Sequence, residues 1–366
     1  MMDLVTLNSD YQPEKLVENY DSLIWTERFN GVGEFQITTG DVERFMNLLP
    51  EGQVVSLRET NVPMIVETHK IERKKNSPTV LTIMGREFTS ILDRRVSLKN
   101  LAGGSEEWTV VAKIPSDAAY YAIVTIRVEG VLNPLDIFPT NKVVFATPDD
   151  YLTTPGPIRQ FTISRGNLLS TVQTFLQTED KEDPTTDPPT PKLEPHGIRA
   201  VRPNISGSAV TIQIYTGIDR TQEVYFDGTR DLLGDGTYLF SKVGSATTAY
   251  VLSGWNSHVI NAKNEELSGF DRRVILVDGT TSGVTEEDAL IQHGKSSLTE
   301  AKQIAIFDGS INQDLTAYVF GVDYGLGDIV KLVGDYGLSE KARVTEYMRS
   351  EDPTGVNAYP TLETIL

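Results

Sequence analysis

Alternation between apolar and polar positions is the commonest pattern along the chain, and it predicts a strand-rich fold. Residues 35–38 and 210–214 alternate strictly, so Val210, Ile212 and Ile214 fall on one face of a strand. Most other candidate strands are bounded by Gly, Pro, Asn or Asp, the residues that turn a chain. These strands are predicted at residues 53–58, 64–71, 79–84, 109–113, 121–128, 142–146, 158–163, 223–226, 247–252, 273–277, 317–320, 328–333 and 343–348.

Four segments show helical spacing instead, with apolar side chains every three or four positions. The first three are residues 41–49, 87–94 and 167–177. A fourth helix is predicted from Glu286 toward Gln303, because Thr285 and Asp288 form a capping pattern at its start. Gly294 lies inside this helix and weakens it. The predicted fold class is therefore mainly β with short helices (α+β).

Residues 178–196 form no predicted element. The segment contains five prolines and six acidic residues, but only one aliphatic side chain, that of Leu193. Such a segment cannot bury enough apolar surface to offset the entropy lost on ordering. We expect an exposed, acidic, proline-rich loop, which is either a plain insertion or an arm that a partner orders.

Two segments resemble each other and suggest an internal repeat. Residues 52–57 (GQVVSL) and 327–332 (GDIVKL) each place a strand directly after a glycine. A second predicted strand follows each of them after a turn-rich gap. Both segments therefore predict a β-hairpin, and the pair favours two related barrel domains in one chain.

Composition restricts the classes of function. The 366 residues suffice for about two to three domains at roughly 150 residues each. The formal net charge of −18 disfavours nucleic-acid binding and docking on an anionic membrane. The absence of cysteine excludes disulfides, cysteine-ligated metals and thiol catalysis. The first ten residues lack a signal-peptide pattern, and the most apolar run, residues 118–126, is shorter than the roughly 20 residues of a membrane span.

No motif makes a positive case for catalysis. Neither a G-x-S-x-G elbow nor a phosphate-binding loop occurs, and acidic pairs such as Asp149-Asp150 imply no particular geometry. Residues 227–236 resemble the start of a calcium loop, but Leu232 and Tyr238 occupy the positions of its glycine and its final glutamate. The histidines show no metal-ligand spacing; they are His69, His196, His258 and His293. We therefore predict no catalytic, cofactor-binding or metal-binding residue, no cofactor and no enzymatic activity.

Several short motifs, in order along the chain, resemble one protein family. Residues 23–29 (LIWTERF) carry a W-x-x-R pattern, and residues 31–37 (GVGEFQI) continue it through Gly-x-Gly-Glu-Phe. Residues 323–330 (DYGLGDIV) match a D-Y-x-L-G-D-x-V pattern. In this order the motifs resemble those of siphophage tail hub proteins, the minor tail proteins at the tip of long non-contractile phage tails. Smaller matches lie at residues 64–67, 81–86, 92–95 and 197–201.

The resemblance implies an architecture. Such hubs are expected to hold two tail-tube-like β-barrels in one chain, with smaller inserted α+β domains, and to assemble as a threefold ring. Residues 1–98 are then assigned to the first barrel, and residues 99–206 to a middle α+β domain that includes the acidic loop. Residues 207–310 are assigned to a further α+β region contributing to the second barrel, which residues 311–366 complete.

The resemblance also implies a location, partners and a function. The chain is expected at the virion tail tip, after assembly in the host cytoplasm, as a homotrimer that continues the tail tube and forms or gates the channel for DNA ejection. Expected partners are a distal tail protein or tube ring, the tape-measure protein and other tip or fibre proteins. An acidic channel would repel DNA rather than bind it, and no membrane insertion is expected. Two alternatives stay open: a cell-wall hydrolase or carbohydrate-binding tail module, and the equivalent hub of a contractile tail or injection device.

Three glycines are expected to have structural roles. Gly31 and Gly33 are placed in the turn between the strand of Trp25 and the strand of Ile37, and Gly327 starts the second hairpin. Glycine is the usual residue where a turn requires positive φ. We therefore predict positive φ at one or more of the three.

Overall fold

A computed structural model describes most of the chain. The described residues are 2–97, 107–112, 115–128, 138–139, 141–147, 159–164, 166–177, 195–203, 207–227, 233–253, 256–262, 267–278, 287–301, 304–311, 318–333 and 339–365. The chain divides into two compact units. Unit 1 comprises Met1–Asp235 and Gly309–Leu366, and unit 2 comprises Gly236–Asp308.

Strands account for most of the regular structure, which confirms the prediction of a mainly β fold with few helices. The strands are β1 (Leu4–Leu7), β2 (Pro13–Leu16), β3 (Ser22–Arg28), β4 (Glu34–Thr39), β5 (Val54–Leu57), β6 (Pro63–Glu72), β7 (Val80–Glu87), β8 (Glu107–Ala112), β9 (Val143–Phe145), β10 (Arg159–Ser164), β11 (Gly197–Val201), β12 (Val210–Tyr215), β13 (Tyr225–Asp227), β14 (Leu233–Ser241), β15 (Thr248–Ser253), β16 (Asn256–Asn261), β17 (Val274–Asp278), β18 (Ile304–Ile311), β19 (Ile329–Val333), β20 (Ser339–Asp352) and β21 (Gly355–Thr364). The α-helices are α1 (Val42–Leu48), α2 (Pro115–Val128), α3 (Leu168–Gln177) and α4 (Glu287–Glu300), and short 3-10 helices span Phe88–Arg94 and Gly269–Asp271.

A large, mostly antiparallel sheet organises unit 1. Its strands follow the order β21-β20-β3-β4-β7-β6-β5-β1-β2, and β19 pairs with the other end of β20. Alternation along β4 buries Phe35 and Ile37, which share a core with Trp25 of β3 and Phe45 of α1. The predicted helix at residues 41–49 is confirmed as α1, which Asp41 caps by accepting a hydrogen bond from the backbone N–H of Arg44.

A second hydrophobic core is formed mainly by elements that lie, in the sequence, from the first 3-10 helix to β12. It is built from that 3-10 helix, α2, α3, the β8–β10 pair and the three-stranded sheet β11-β12-β9. The apolar face predicted for residues 167–177 is confirmed in α3, which buries Leu168, Leu169, Val172 and Leu176. In β12 the strict alternation also holds, because Val210, Ile212 and Ile214 are buried.

Unit 2 contains a three-stranded sheet covered on one face by a helix. Strand β15 pairs antiparallel with β16 and parallel with β17, and β14 and β18 carry the chain between the two units. The helix α4 confirms the main part of the fourth predicted helix, whose predicted capping residue 285 and first residue 286 lie outside the described residues. Gly294 allows α4 to approach the sheet closely, because a β-carbon there would overlap Ile260 and lie 2.5 Å from Cγ2 of Val251.

Two of the predicted strands are wrong. Residues 121–128 form the second half of α2, in which Ala118, Ala119, Ala122 and Ile123 are buried at helical spacing. The β-branched residues of this segment favour a strand locally, but packing of α2 against α3 and β8 overrides that preference. Of the predicted strand 317–320, the described residues 318–320 are irregular except for an isolated bridge between Phe320 and Tyr324.

Both hairpins of the internal repeat are confirmed. The pairs β5–β6 and β19–β20 are antiparallel, and each first strand begins shortly after a glycine with positive φ, +82° at Gly52 and +88° at Gly327. The prediction of positive φ is therefore confirmed at Gly327. Gly31 and Gly33 occupy the predicted turn between β3 and β4 without positive φ.

The predicted closed barrels are not found among the described strands, and most of the predicted acidic loop lies outside the described residues. Among the described strands the main sheet stays open, because its end strand β2 pairs only with β1, and no closed barrel is found. The acidic segment predicted as a loop lies outside the described residues, except for Pro195 and His196.

Candidate functional site: the joint around Phe29

Phe29 follows β3 directly and is completely buried at a point where three parts of unit 1 meet. Its ring fills the space beside two glycines. A β-carbon at Gly197 of β11 would lie 2.5 Å from the ring, and one at Gly327 would overlap it. The ring of Tyr215 packs edge-on with the centroids 5.4 Å apart, and the guanidinium of Arg343 lies 5.6 Å from the centroid of Phe29. We call this arrangement the Phe29 joint.

Backbone hydrogen bonds fix the Phe29 joint in place. The N–H of Phe29 donates to the carbonyl of Thr345 in β20 at 2.9 Å, and its carbonyl accepts from the N–H of Ile198 in β11 at 3.2 Å. The turn after β3 is therefore attached both to the C-terminal hairpin and to the sheet of the second core.

A buried carboxyl makes a further connection between these parts. Glu87, the last residue of β7, is 2% exposed and accepts hydrogen bonds from the N–H of Ala200 at 2.8 Å and of Gly33 at 3.4 Å. Burial raises the pKa of Glu87 to about 8, although the two N–H donors oppose the shift. Space is also limited at Gly33, where a β-carbon would lie 2.6 Å from the carbonyl oxygen of Thr26.

The two N-terminal motifs pair with each other across β3 and β4. Trp25 stacks on Phe35 with the ring centroids 5.8 Å apart. The guanidinium of Arg28 forms ion pairs of 2.6 Å with Glu34 and with Glu346 of β20. The W-x-x-R and Gly-x-Gly-Glu-Phe residues thus hold the β3–β4 hairpin together and connect it to β20.

The last aspartate of the D-Y-x-L-G-D-x-V motif organises the start of the second hairpin. Asp328 is 7% exposed, and its carboxylate accepts three hydrogen bonds of 2.7–2.9 Å. The donors are the backbone N–H groups of Ile218 and Gly325 and the Nε of Arg220. This carboxylate compensates the polar groups of a tight loop, which is a structural role.

The tyrosine of the same motif belongs to an aromatic cluster. The ring of Tyr324 is 3% exposed and meets Phe226 and Phe320 edge-on, with centroids 5.4 and 5.5 Å away. Phe320 in turn stacks on Tyr347 of β20 at 3.7 Å. Burial raises the pKa of Tyr324, so its hydroxyl stays protonated.

One buried ion pair connects the N-terminal and C-terminal motifs. The carboxylate of Glu27 accepts a hydrogen bond of 2.7 Å from Arg349 and one of 3.2 Å from Nε1 of Trp25. Arg349 also lies over the ring of Tyr347, 4.6 Å from its centroid. Residues of the N-terminal and C-terminal motifs therefore lie close together around the paired strands β3 and β20.

Sequence reasoning did not identify several residues of this region. Arg220, Arg343 and Arg349 belong to no pattern that distinguishes them from surface arginines. Glu87 did carry a signal, because it continues the alternation that buries Leu81 and Ile83 in β7.

The region contains carboxylates and arginines that bind one another, and its chemistry is that of a structural joint. The described residues contain no cluster of three or more histidine, aspartate or glutamate side chains able to hold a metal ion. The four histidines lie apart in the chain: His69 is in β6, His196 precedes β11, His258 is in β16 and His293 is in α4. None of the described helices is long and apolar enough to cross a membrane.

Solved structures with a similar fold include three tail proteins, two of them from prophages. The 43 kDa tail protein of prophage MuSo2 from Shewanella oneidensis aligns with 100% of this chain and 97% of its own, at a TM-score of 0.58 and 12% identity. A tail protein from Neisseria meningitidis MC58 aligns with 99% of this chain and 96% of its own, at a TM-score of 0.56 and 12% identity. Prophage tail protein gp18 from Listeria monocytogenes EGD-e aligns with 99% of this chain and 94% of its own, at a TM-score of 0.51 and 9% identity.

The fold is therefore one that tail proteins share. Residues 4–361 match the family described as Siphovirus ReqiPepy6 Gp37-like protein, and the chain belongs to that family. No curated protein matches the chain. The predicted membership of a siphophage tail protein family is thereby confirmed.

Proposed function

We propose that three copies of this chain form the hub at the tip of the tail, continue the tail tube as a ring and surround the channel through which DNA leaves. The observation that supports this proposal best is the pair of matching hairpins, β5–β6 and β19–β20, held in one sheet by the pairing of β3 with β20. A chain that presents the same element twice can match a sixfold tube with three copies, because a closed ring repeats one interface by rotation.

The proposal assigns the parts of the chain as the sequence suggested. Residues 1–98 and 311–366 supply the two tube-like domains, residues 99–206 the middle domain, and residues 207–310 a further region of the second tube-like domain. The net charge of −18 supports a channel that repels DNA phosphates. The ring would bind a distal tail protein or tube ring above it, and it would also bind the tape-measure protein and other tip or fibre proteins.

Imaging of tails tests the hub assignment. Cryo-electron microscopy of purified virion tails should place three copies of this chain around the tail axis at the tip. Native mass spectrometry of the purified protein, or of a tip subcomplex, should give a mass of three chains. A single copy per tail, or copies lying outside the axis, would overturn the proposal.

The proposal includes no catalysis, and this part has its own test. Zymography of the purified protein on host cell walls should show no clearing, with a known cell-wall hydrolase as the positive control. Clearing that disappears after one carboxylate substitution in this chain would instead support the hydrolase alternative.

A further inference from the structure

The outer edge of β16 in unit 2 carries backbone groups with no partner strand among the described residues. The N–H of Ala262 donates to the carbonyl of Thr247 at 2.8 Å, and this bond sets the alternation of the β15–β16 ladder. In that register, Ser257, Val259 and Asn261 direct their N–H and C=O groups away from β15. These groups match the hydrogen-bonding pattern of one more strand.

A groove lies beside this edge, between β16 and α4. Its cavity has a volume of about 370 Å³ and is lined by His258, Val259, Ile260 and Asn261 of β16, together with Ile291 and Lys295 of α4. Side chains alternate along a strand, so every second side chain of an added strand would point toward α4 and into this groove. An edge with a groove beside it is the arrangement in which proteins bind an extended peptide.

The charge of the groove selects the partner. Lys295 is exposed and forms no ion pair with a described residue. Pairing of this edge with the same edge of a second copy would place two Lys295 side chains on one face of the joined sheet and would give neither of them a carboxylate partner. A carboxylate on the incoming strand would instead form an ion pair with Lys295.

We propose that the β16 edge and the groove beside α4 bind an extended segment of another protein. The segment adds a fourth strand beside β16 of the β16-β15-β17 sheet and places an acidic side chain against Lys295. Main-chain hydrogen bonds with Ser257, Val259 and Asn261 hold the strand, and the groove selects its side chains.

Peptide binding to the full-length protein tests this proposal. The probe is a capped, fluorescent hexapeptide of alternating valine and glutamate, and its matched control carries lysine in place of glutamate. Fluorescence anisotropy should show at least tenfold tighter binding of the acidic peptide. Lys295→Glu should reverse this preference, because the variant keeps the edge and changes only the charge.

A second variant separates the edge from the groove. Val259→Pro removes an outward N–H without removing a ladder hydrogen bond, so circular dichroism and the melting temperature should stay close to those of Val259→Ala. Binding of the acidic peptide should weaken at least tenfold in Val259→Pro and change little in Val259→Ala.

Three results of the peptide-binding experiments would overturn the proposal. They are no saturable binding of the acidic peptide at millimolar concentration, equal binding of both peptides, and full binding by the folded Val259→Pro variant. Dimers of the protein that Val259→Pro abolishes would assign the edge to a second copy of this chain and would also overturn it.

Discussion

The ring of Phe29 occupies the space that a side chain at Gly327 would need. The two residues lie at opposite ends of the sequence, one after β3 and the other before β19. Their contact joins the β3–β4 hairpin to the β19–β20 hairpin. A change at either residue should therefore affect the whole of unit 1.

Gly327→Ala should destabilise the protein more than Gly52→Ala. Both glycines have positive φ, but a β-carbon at Gly52 meets nothing within 4 Å. The backbone strain is therefore common to both variants, and overlap with Phe29 adds about 1–3 kcal/mol at Gly327 alone. Urea denaturation measures both free energies of unfolding. Phe29→Leu should recover part of the loss in a double-mutant cycle, and equal losses in the two alanine variants would contradict the overlap.

Glu87→Gln should remove a pH dependence of stability. Because the pKa of Glu87 is raised to about 8 in the folded protein, the folded state holds the proton more tightly than the unfolded state. The contribution is complete below the ordinary glutamate pKa near 4.5 and is lost as the pH rises through about 8. It amounts to several kcal/mol, at about 1.4 kcal/mol per pKa unit.

Chemical denaturation between pH 5 and pH 9 measures this effect. As the pH rises, the free energy of unfolding of the wild-type protein should fall relative to that of Glu87→Gln. The glutamine keeps a hydrogen-bond acceptor but cannot ionise. Parallel pH profiles for the two proteins would show that Glu87 is charged in the folded state.

Asp328→Ala should cost about 2–4 kcal/mol of unfolding free energy, because it leaves two N–H groups and Arg220 without their shared acceptor. The matched control is Lys341→Met, which removes an ion pair of the same length, 2.8 Å, with Asp219. That pair is about half exposed on both sides, so the control should cost about 0–1 kcal/mol. Thermal denaturation compares the two, and similar losses would mean that the Asp328 carboxylate has no special structural role.

Gly294→Ala should destabilise unit 2, although alanine is the better helix former by about 1 kcal/mol. The reason is the close approach of α4 to the sheet, where a β-carbon overlaps Ile260. Hydrogen exchange of β15 and β16 amides measures the effect locally. Faster exchange in Gly294→Ala is expected, and slower exchange would show that helix propensity outweighs the contact.

Alternation and helical spacing predicted the elements whose buried face belongs to a single layer, such as β4, β12 and α3. They were wrong for residues 121–128, where the local preference of β-branched residues and the packing of α2 disagree. Turn chemistry predicted the position of Gly31 and Gly33 but not their role. Position 33 needs a glycine because a β-carbon there would lie 2.6 Å from the carbonyl oxygen of Thr26, and not because its φ is positive. No local sequence pattern contains that contact.

The candidate site could be predicted only in part. The motifs that contain Trp25, Arg28 and Asp328 were visible because they form continuous strings. Their partners Glu346, Arg349 and Arg220 lie far away in the sequence and belong to no string of their own. Long-range pairing therefore had to come from the fold.

The pairing of β3 with β20 has a consequence for synthesis of the protein. Arg28 and its partner Glu346 are separated by 318 positions. At roughly 5–20 residues per second, β20 leaves the ribosome roughly 15–60 s after β3. For that time one edge of β3 has no neighbour, and such an edge can pair wrongly with other nascent chains. Chains that stop before β20 cannot cover this edge, so only a chain that includes β20 can bring a β3 with both edges paired to the assembling tail.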